Sequence, residues 1–267
     1  MVKLITLEME EMDRALYSKA LAYALVAQDT SCAGLQRNLQ VGYETARNLR
    51  ARLLDAGVRG TTAEPATQSE QAEPFFIPWV GARYLEQEKR LLILGESHYS
   101  EDELDRHATI DFTQHYIDGW RHRFWTILMQ IVRGQPHWEI DSGDFWADFA
   151  FYNYVQEVVG DSPGIAPTEA MFAAAKEPFQ TVLERLQPHR ILVLSARLWD
   201  RLAPEGEAGP ALAFGGQVRD TLVYRHAGGT ALASWIPHPS RIGWNTWHPL
   251  VPALLGMEAR LPDAAAL

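Results

Sequence analysis

Three short segments of the chain carry polar, reactive side chains at the ends of predicted strands. The first, residues 91–99, reads LLILGESHY, so an apolar run ends abruptly in polar residues. The second, residues 151–155, reads FYNYV and sets a lone asparagine among aromatic residues. The third, residues 237–240, reads PHPS and holds a histidine between two prolines. In an open parallel sheet such strand ends meet at one crevice, where ligands bind.

These side chains suit the recognition of a flat ring and the stabilisation of charge. Asn153 offers an acceptor and two donors, so its amide can read the edge of a pyrimidine-like ring. The prolines around His238 stiffen the backbone, and a rigid imidazole can donate to an oxygen that gains charge as a bond breaks. Ordinary interpretations compete, because Asn153 could close a turn, Glu96 could cap a helix, Ser97 could bond backbone groups, and either His98 or His238 could be a loop histidine.

Alternating strands and helices from residue 75 onward predict how these segments are positioned. Short apolar runs are typical of buried strands, and the longer stretches between them have helical periodicity. Strands that alternate with helices predict a parallel sheet covered on both faces, and hence an α/β domain. The predicted strands are residues 91–94, 149–155 and 191–194, with 222–224 pairing with 231–236; the predicted helices are residues 111–133, 168–186, 196–202 and 247–260.

The first 60 residues predict a separate helical module. A helix with regular apolar spacing is followed by a short helix that Thr30-Ser31 could cap, a turn, and a longer helix that bears arginines and ends at Gly57. This is the helix-turn-helix pattern. Residues 61–74, TTAEPATQSEQAEP, have linker composition. The predicted helices cover 15–26, 33–39 and 43–56, and the predicted division is a module over 1–62, a linker over 63–74 and a domain over 75–267.

Composition narrows the class of protein and the kinds of site. The single cysteine, Cys32, excludes a disulfide framework and any all-cysteine iron–sulfur or zinc site, and it fits a reducing cytosol. The N-terminus lacks the apolar core of a signal peptide, and no apolar run reaches the roughly 18 residues of a membrane helix. Net charge is −10, but residues 31–60 hold five arginines against two acidic residues. Total charge is therefore a weak argument against DNA binding.

The N-terminal module resembles the winged-helix gamma domain of the FtsK/SpoIIIE DNA translocases. The resemblance runs from Leu16 to Gly57, which is nearly the whole module. It rests on SCAGLQRNL at 31–39, VGY at 41–43 and LLDAGV at 53–58. What it implies is a winged helix-turn-helix fold that binds DNA.

Two positions of this module depart from the translocase pattern. Just after the Gly-Tyr pair the translocases carry an Asn-Arg pair that reads bases, whereas this chain has Glu44 and Thr45. If the module binds DNA, the expected phosphate contacts are Arg37, Arg47 and Arg50. A winged helix that binds another protein is the alternative, because Glu44 would repel phosphate.

The larger domain resembles the uracil-DNA glycosylase superfamily over most of residues 75–260. Gly95-Glu96 fits the first motif of that family, Asn153 fits its strand-end asparagine, and His238-Pro239-Ser240 fits its second motif. The resemblance implies a three-layer α/β/α sandwich with a central, mostly parallel sheet. It also implies an enzyme that hydrolyses the N-glycosidic bond of a base flipped out of DNA and leaves an abasic site.

The roles of the family's motifs carry over to residues of this chain. The first motif positions water and contacts the base, the asparagine reads the base edge, the histidine stabilises the departing base, and the residues after it push into the duplex. A ring that stacks on the base is expected at Phe112, with Tyr116 as the alternative. The implied catalytic residues are Glu96, Ser97, His98 and His238; the implied base-binding residues are Gly95, Tyr99, Phe112 and Asn153; and the implied DNA contacts are Ser240, Arg241 and Ile242.

The first motif departs from the family in ways that leave the base open. Members with strong uracil activity often have Asp or Asn where this chain has Ser97, which cannot act as a general base at neutral pH. Glu96 or His98 could orient water instead, and a carboxylate could stabilise a cationic sugar. The usual proline is replaced by His98. The expected base is therefore uracil-like or a modified pyrimidine, including the unusual bases of phage DNA, so DNA repair and antiviral defence both stay open.

Rival functions also follow from the residues. Gly95–Tyr99 is close to the Gly-x-Ser-x-Gly elbow of serine hydrolases, in which Ser97 would pair with His238, but Tyr99 occupies the second glycine position. A non-catalytic DNA-binding or sensor protein on a glycosylase fold is the other rival. His115 and His122 suggest a metal site only weakly, since no third ligand is evident. The expectation is a cytoplasmic DNA-binding enzyme with no cofactor, metal cluster or membrane partner.

Overall fold

The computed structural model describes residues 2–60, 72–162, 164–202 and 205–257, and it begins with three helices. Ser31 caps the second helix, as predicted, because its Oγ accepts a hydrogen bond from the Gly34 backbone N–H at 3.0 Å. The third helix ends two residues before Gly57. Their bounds are α1 Val2–Ala27, α2 Cys32–Leu39 and α3 Tyr43–Asp55.

The three helices pack around a small apolar core. Leu35 of α2 and Ala46, Leu49 and Leu53 of α3 are all buried. The segment after α3 lies beside the segment after α1, since the Gly60 N–H donates to Thr30 Oγ1 at 3.2 Å. The described residues before position 72 form no strand. Most of the predicted linker, residues 61–71, lies outside the described part of the chain, so the wing and the domain boundary stay predictions.

The described residues after position 72 form nine strands, and seven of them make one sheet in the order β1-β3-β2-β4-β9-β8-β5. The other two, β6 and β7, form a separate hairpin. The strands are β1 Trp79–Val80, β2 Leu91–Gly95, β3 Ala150–Asn153, β4 Arg190–Val193, β5 Glu207–Ala208, β6 Leu212–Phe214, β7 Gln217–Arg219, β8 Leu222–His226 and β9 Gly229–Trp235.

The four central strands, β3, β2, β4 and β9, run parallel. Strand β1 pairs antiparallel with β3, β8 pairs antiparallel with β9, and β5 pairs antiparallel with β8. This arrangement confirms the predicted α/β class and the predicted pairing of β8 with β9. The register sets Gly95 at the end of β2 opposite Asn153 at the end of β3. Because parallel strands end at the same edge, the segments after β2, β3, β4 and β9 lie along one side of the sheet.

Helices cover both faces of this sheet. The ring of Phe151 contacts Trp125 and Trp146 on one face, whereas Tyr154, an odd number of residues away, contacts Phe172 and Phe179 on the other. The helices of this part of the chain are α4 Ala108–Ile117, α5 Arg123–Arg133, α6 Ser142–Trp146, α7 Glu169–Ala174, α8 Lys176–Leu186, α9 Ala196–Leu202, α10 Trp244–Trp247 and α11 Leu250–Gly256.

Three predicted helices are each divided in the structure. The prediction of one helix over 111–133 is wrong, because Gly119 takes a φ of +116°, which ends α4 before α5 begins. The predicted helix over 168–186 divides at Ala175, where Pro178 removes a backbone donor from the first turn of α8. The closing helix divides before Pro249, and residues 258–260 of that prediction lie outside the described residues.

Helix α1 also packs against the larger domain. It contacts β1 and α8, and Lys19 pairs with Asp111 of α4 at 3.2 Å. On its other side, Tyr17 of α1 packs under the guanidinium of Arg52 from α3, 4.3 Å from the ring centre. Helix α1 therefore contacts α3 on one side and the larger domain on the other.

Candidate active site

The ends of β2 and β3 are fitted to each other at Gly95 and Asn153. A Cβ atom at position 95 would lie 2.1 Å from Asn153 Oδ1, so only glycine lets the asparagine side chain lie across the end of β2. Asn153 is 6% exposed. Its hydrogen bonds to described residues use the amide nitrogen and the backbone oxygen, which leaves Oδ1 as an acceptor for a ligand.

The imidazole of His98 lies in a closed environment beside Asn153. Its Nε2 lies 2.8 Å from Thr109 Oγ1 and 3.1 Å from Asn153 Nδ2. Asn153 Nδ2 also lies 3.4 Å from Nδ1, so the amide group packs against the nitrogen-bearing side of the ring. Phe76 meets the ring edge-on at 4.6 Å, and Phe112 stacks on it at 5.6 Å with an interplanar angle of 29°.

Phe112 and Asn153 therefore hold a flat nitrogen heterocycle between them, and that heterocycle is the side chain of His98. We call this space the ring slot, defined by Phe112, Asn153 and Thr109. A third ring does not fit between Phe112 and His98, because two stacking gaps would take about 7 Å and the centroids are 5.6 Å apart. Any planar ligand that stacks on this face of Phe112 has to displace the imidazole.

Burial lowers the pKa of His98 to about 4. The unfolded chain has a histidine pKa of about 6.5, so the folded state favours the neutral ring. The stability that this provides is present above pH 6.5 and is lost as pH falls towards 4. A neutral, buried His98 contacting Thr109 and Asn153 is placed to fix the asparagine amide, in contrast to the water-orienting role considered from the sequence.

We expect His98→Gln to remove much of the pH dependence of stability below neutrality. For the wild-type chain, the shift corresponds to a loss of about 3 kcal/mol in the free energy of unfolding between pH 6.5 and pH 4. Urea unfolding of both proteins at pH 4.5, 5.5 and 7 measures the difference, and the other histidines cancel in the comparison. Parallel pH profiles for the two proteins would show that His98 is not buried as a neutral ring.

Glu96 is held by groups from the neighbouring strand end. Arg197 binds both carboxylate oxygens, through Nη2 to Oε1 and through Nε to Oε2 at 2.8 Å, and Ser195 Oγ donates to Oε2 at 3.2 Å. The Glu96 side chain is 9% exposed. Hydrogen bonding and the charge of Glu96 raise the pKa of Arg197, and the Tyr99 hydroxyl adds to this effect. Since both partners are charged, Glu96 is a fixed anion at the sheet edge more than a mobile base.

His238 lies on the turn that follows β9, at the same edge of the sheet as the ends of β2 and β3. Its Nδ1 accepts the Ser240 backbone N–H at 3.3 Å, so the neutral ring carries its proton on Nε2. One side of the ring packs near Phe124, with centroids 5.2 Å apart, and the other side is open to solvent. Partial removal from water, and next the charge of Arg241, lower the pKa of His238 below 6.5. The ring is therefore a neutral N–H donor at pH 7.

Ser97 is not assembled into a nucleophilic pair. Its Oγ is buried and makes no hydrogen bond to any described residue. A serine hydrolase needs a histidine within about 3 Å of the serine oxygen, whereas Nδ1 of His238 is occupied by the Ser240 N–H and Nε2 of His98 lies against Thr109. The described part of the chain thus lacks the Ser–His contact that the hydrolase interpretation requires.

The turn after His238 presents one side chain more openly than the others. Ser240 is half-buried, and its backbone oxygen accepts a hydrogen bond from Arg123 Nε at 2.9 Å. Ile242 is half-buried and packs against the core, whereas Arg241 is exposed. Arg241 is therefore the residue of this turn that is free to enter a groove, and Ile242 is less available than the sequence suggests.

The arginines predicted to contact phosphate lie on the surface of α2 and α3. Arg37, Arg47 and Arg50 are all exposed. Arg47 pairs with Glu44 at 2.9 Å, so the acidic residue that departs from the translocase pattern is partly neutralised by its neighbour. Arg37 Nε donates to the Ala33 backbone oxygen at 3.3 Å and keeps its charge at the surface.

Ser195, Arg197 and Thr109 were not predicted as site residues. Ser195 and Arg197 follow β4, a buried parallel strand like β2 and β3, so their position after a strand end is a signal that the sequence does contain. Thr109 carries no comparable signal, because its contact with His98 depends on how α4 packs over the sheet. Phe112, which lies on the same helix as Thr109, was predicted to stack on a base; in the structure its ring stacks on His98.

A cavity of about 480 Å³ lies away from these strand ends, between α1, α4 and α6. Arg14 and Lys19 of α1 line it on one side, and Gln114 and Asp118 of α4 line it on the other. None of the residues that surround the ring slot lines this cavity. The convergence of polar groups, and not the volume of a cavity, marks the candidate site.

Comparisons with protein-family models and with curated proteins find no match to the chain. Within the described ranges, no helix has both the length and the apolar character that crossing a membrane requires. The described residues also contain no group of three or more His, Cys, Asp or Glu side chains that could hold a metal ion. His115 and His122 each stack on Trp120, so their rings do not face one another across a shared metal position.

Proposed function

We propose that the chain is a DNA N-glycosylase that acts on a flipped uracil-like or modified pyrimidine base. The observation that carries the proposal is the ring slot, in which an aromatic face and an amide already hold a planar nitrogen heterocycle. It lies at the carboxyl edge of the parallel strands, and Glu96 and the neutral imidazole of His238 follow two strands of the same sheet. These groups match the needs of base recognition and of N-glycosidic bond cleavage.

In this proposal the base replaces the imidazole of His98 in the ring slot. Phe112 stacks on one face of the base, and Asn153 Oδ1 accepts a hydrogen bond from a ring N–H. The asparagine amide group can then donate to a neighbouring carbonyl once His98 moves. A base that pairs an N–H with a carbonyl on one edge satisfies both halves of the amide, which is why pyrimidines of the uracil type fit best.

Bond cleavage develops charge at both ends of the N-glycosidic bond. The electron pair passes to the departing base, where His238 Nε2–H donates to the base oxygen that becomes negative. The sugar becomes cationic, and the carboxylate of Glu96, held in position by Arg197, stabilises it. Water then adds its oxygen to the sugar carbon and its proton to the base. In this proposal that water is held by Ser97 Oγ, a buried oxygen that has no hydrogen-bond partner among the described residues.

The N-terminal helices have the role of a DNA-binding winged helix in this proposal. The exposed arginines Arg37, Arg47 and Arg50 contact phosphates, which increases the time that the larger domain spends at DNA. Contacts with phosphates carry no sequence information, so this module raises affinity without selecting the base.

The proposal is tested by incubating the chain with single-stranded and duplex DNA that contains uracil or one of a panel of modified pyrimidines. Alkali cleavage of the product reveals abasic sites, and release from at least one substrate is expected. The doubly substituted protein Asn153→Ala, His238→Ala, purified in parallel, excludes a contaminating enzyme. Absence of release from every substrate would reject the glycosylase proposal.

A second candidate is a DNA sensor that binds without cleaving, and one observation favours it. The ring slot is filled by His98, so a chain that never admits a base would keep this arrangement. Retained DNA binding in the same panel without any abasic product would support the sensor. If adding DNA changes how well the His98 ring is protected from solvent, a base has entered the ring slot; if the protection is unchanged, DNA binds at the surface only.

A further inference from the structure

Three stacked rings lie where α4 gives way to α5: His115 is on the last turn of α4, Trp120 is on the loop, and His122 is the N-cap of α5. The ring of Trp120 stacks on His115 with centroids 5.2 Å apart and an angle of 15°, and on His122 with centroids 5.3 Å apart and an angle of 19°. We call His115, Trp120 and His122 the ring column. Both histidines are exposed, and Trp120 is 36% exposed. The column therefore presents flat aromatic surface to solvent outside the core.

The ring column lies next to the turn that carries His238. Arg123, directly after His122, donates from Nε to the backbone oxygen of Ser240 at 2.9 Å. Phe124, the next residue, has its ring 5.2 Å from that of His238. The start of α5, next to the column, and the turn that carries His238 are therefore joined by direct contacts.

Positive charge surrounds the ring column in a chain whose net charge is −10. Arg121, Arg123 and Arg241 are exposed along this side. Two exposed carboxylates, Asp118 and Asp141, lie near the C-terminal end of α4, and both line the cavity between α1, α4 and α6. Arg121 is fixed, because its Nη1 donates to the backbone oxygens of Tyr116 and Trp120. Three exposed arginines beside stacked aromatic rings suit a polyanion.

We propose that the ring column binds the DNA strand next to the flipped nucleotide, with an adjacent base stacked on the column and phosphates at the three arginines. This inference rests on the proposed function for its choice of DNA as the partner. Aromatic rings beside cations form the surface that single-stranded nucleic acid uses, since every base has a π-face and every linkage has a phosphate. Stacking does not read hydrogen-bonding edges, so the surface accepts any base.

The proposal is tested by fluorescence anisotropy with two labelled oligonucleotides of equal length. One is a run of thymidines, and the other has the same backbone with abasic spacers in place of the bases. Trp120→Ala is expected to weaken binding of the thymidine strand by about tenfold and to leave binding of the abasic strand within about twofold. Trp120→Phe, which keeps a stacking ring, should restore most of the affinity.

The matched control is Trp138→Ala. Trp138 is 74% exposed and follows the C-terminal end of α5, a helix about 16 Å long whose N-terminal end carries the ring column. Its removal should change neither affinity. Equal losses on both oligonucleotides for Trp120→Ala, or no loss on either, would overturn the proposal, as would failure of Trp120→Phe to restore binding in a protein whose melting temperature is unchanged.

The outcomes separate this inference from the proposed function. If no DNA releases a base but Trp120→Ala still weakens only the base-containing strand, the glycosylase proposal fails and the ring column stands. If bases are released and Trp120→Ala binds both strands normally, only the proposal that the ring column binds DNA is rejected, and the glycosylase proposal stands. A chain that binds neither oligonucleotide contradicts the ring column, and the release assay then decides the proposed function by itself.

Discussion

His238→Ala should lower the rate of base release by about 100- to 1,000-fold, the loss that follows removal of one donor to a developing anion. The imidazole is neutral, with its Nε2 proton free, because Nδ1 accepts the Ser240 N–H. Its donated hydrogen bond strengthens only as charge builds on the base, so DNA affinity should change by less than about twofold. Single-turnover rates and anisotropy measured on the same preparation separate the two effects.

The matched control for this substitution is His137→Ala. His137 is exposed and lies past the C-terminal end of α5. Its removal should leave both rate and affinity unchanged. A His238→Ala protein with full activity would show that another group stabilises the departing base, and equal losses for both variants would point to a general effect on the protein surface.

Gly95→Ala should be nearly as damaging as removing Asn153. The added Cβ would lie 2.1 Å from Asn153 Oδ1 and 3.1 Å from Phe151 Cζ, so the asparagine has to leave its position. Because Oδ1 is the proposed acceptor of the ring N–H, we expect a rate loss of about 100-fold or more. The crowding should also cost about 1–3 kcal/mol in the free energy of unfolding.

A double-mutant cycle makes this expectation specific. In the Asn153→Ala background the clash with Oδ1 is absent, so Gly95→Ala should add little further loss, and the two effects should be strongly non-additive. Gly256→Ala, where no atom lies within 4 Å of the added Cβ, is the control for the substitution itself. Additive losses in the cycle would mean that Gly95 and Asn153 act separately.

The placement of the three polar segments could be predicted because it depends on local patterns. Apolar runs that end in Gly95 and Asn153 fix strand ends, and parallel pairing then brings those ends to one edge whatever the packing details. Helix caps also depend on local patterns. The side-chain oxygens of Ser31 and Thr168 each accept a hydrogen bond from a backbone N–H in the first turn of the helix that follows.

Contacts between elements distant in sequence could not be predicted. His98 looked like a loop residue, but the packing of α4 over the sheet brings Thr109 and Phe112 around its ring. The Glu96–Arg197 pair joins groups 101 residues apart. The division of the predicted 111–133 helix at Gly119 has a sequence signal, an Asp-Gly pair, which was outweighed by the continuing apolar periodicity.

The filled ring slot also bears on how the reaction would end. A free base in solution must displace the His98 imidazole and separate it from Thr109 and Asn153, without the phosphates and neighbouring nucleotides that help a base within DNA to do so. The excised base would therefore inhibit the enzyme only weakly. The returning side chain would compete with the product for the same space, which favours release and repeated turnover.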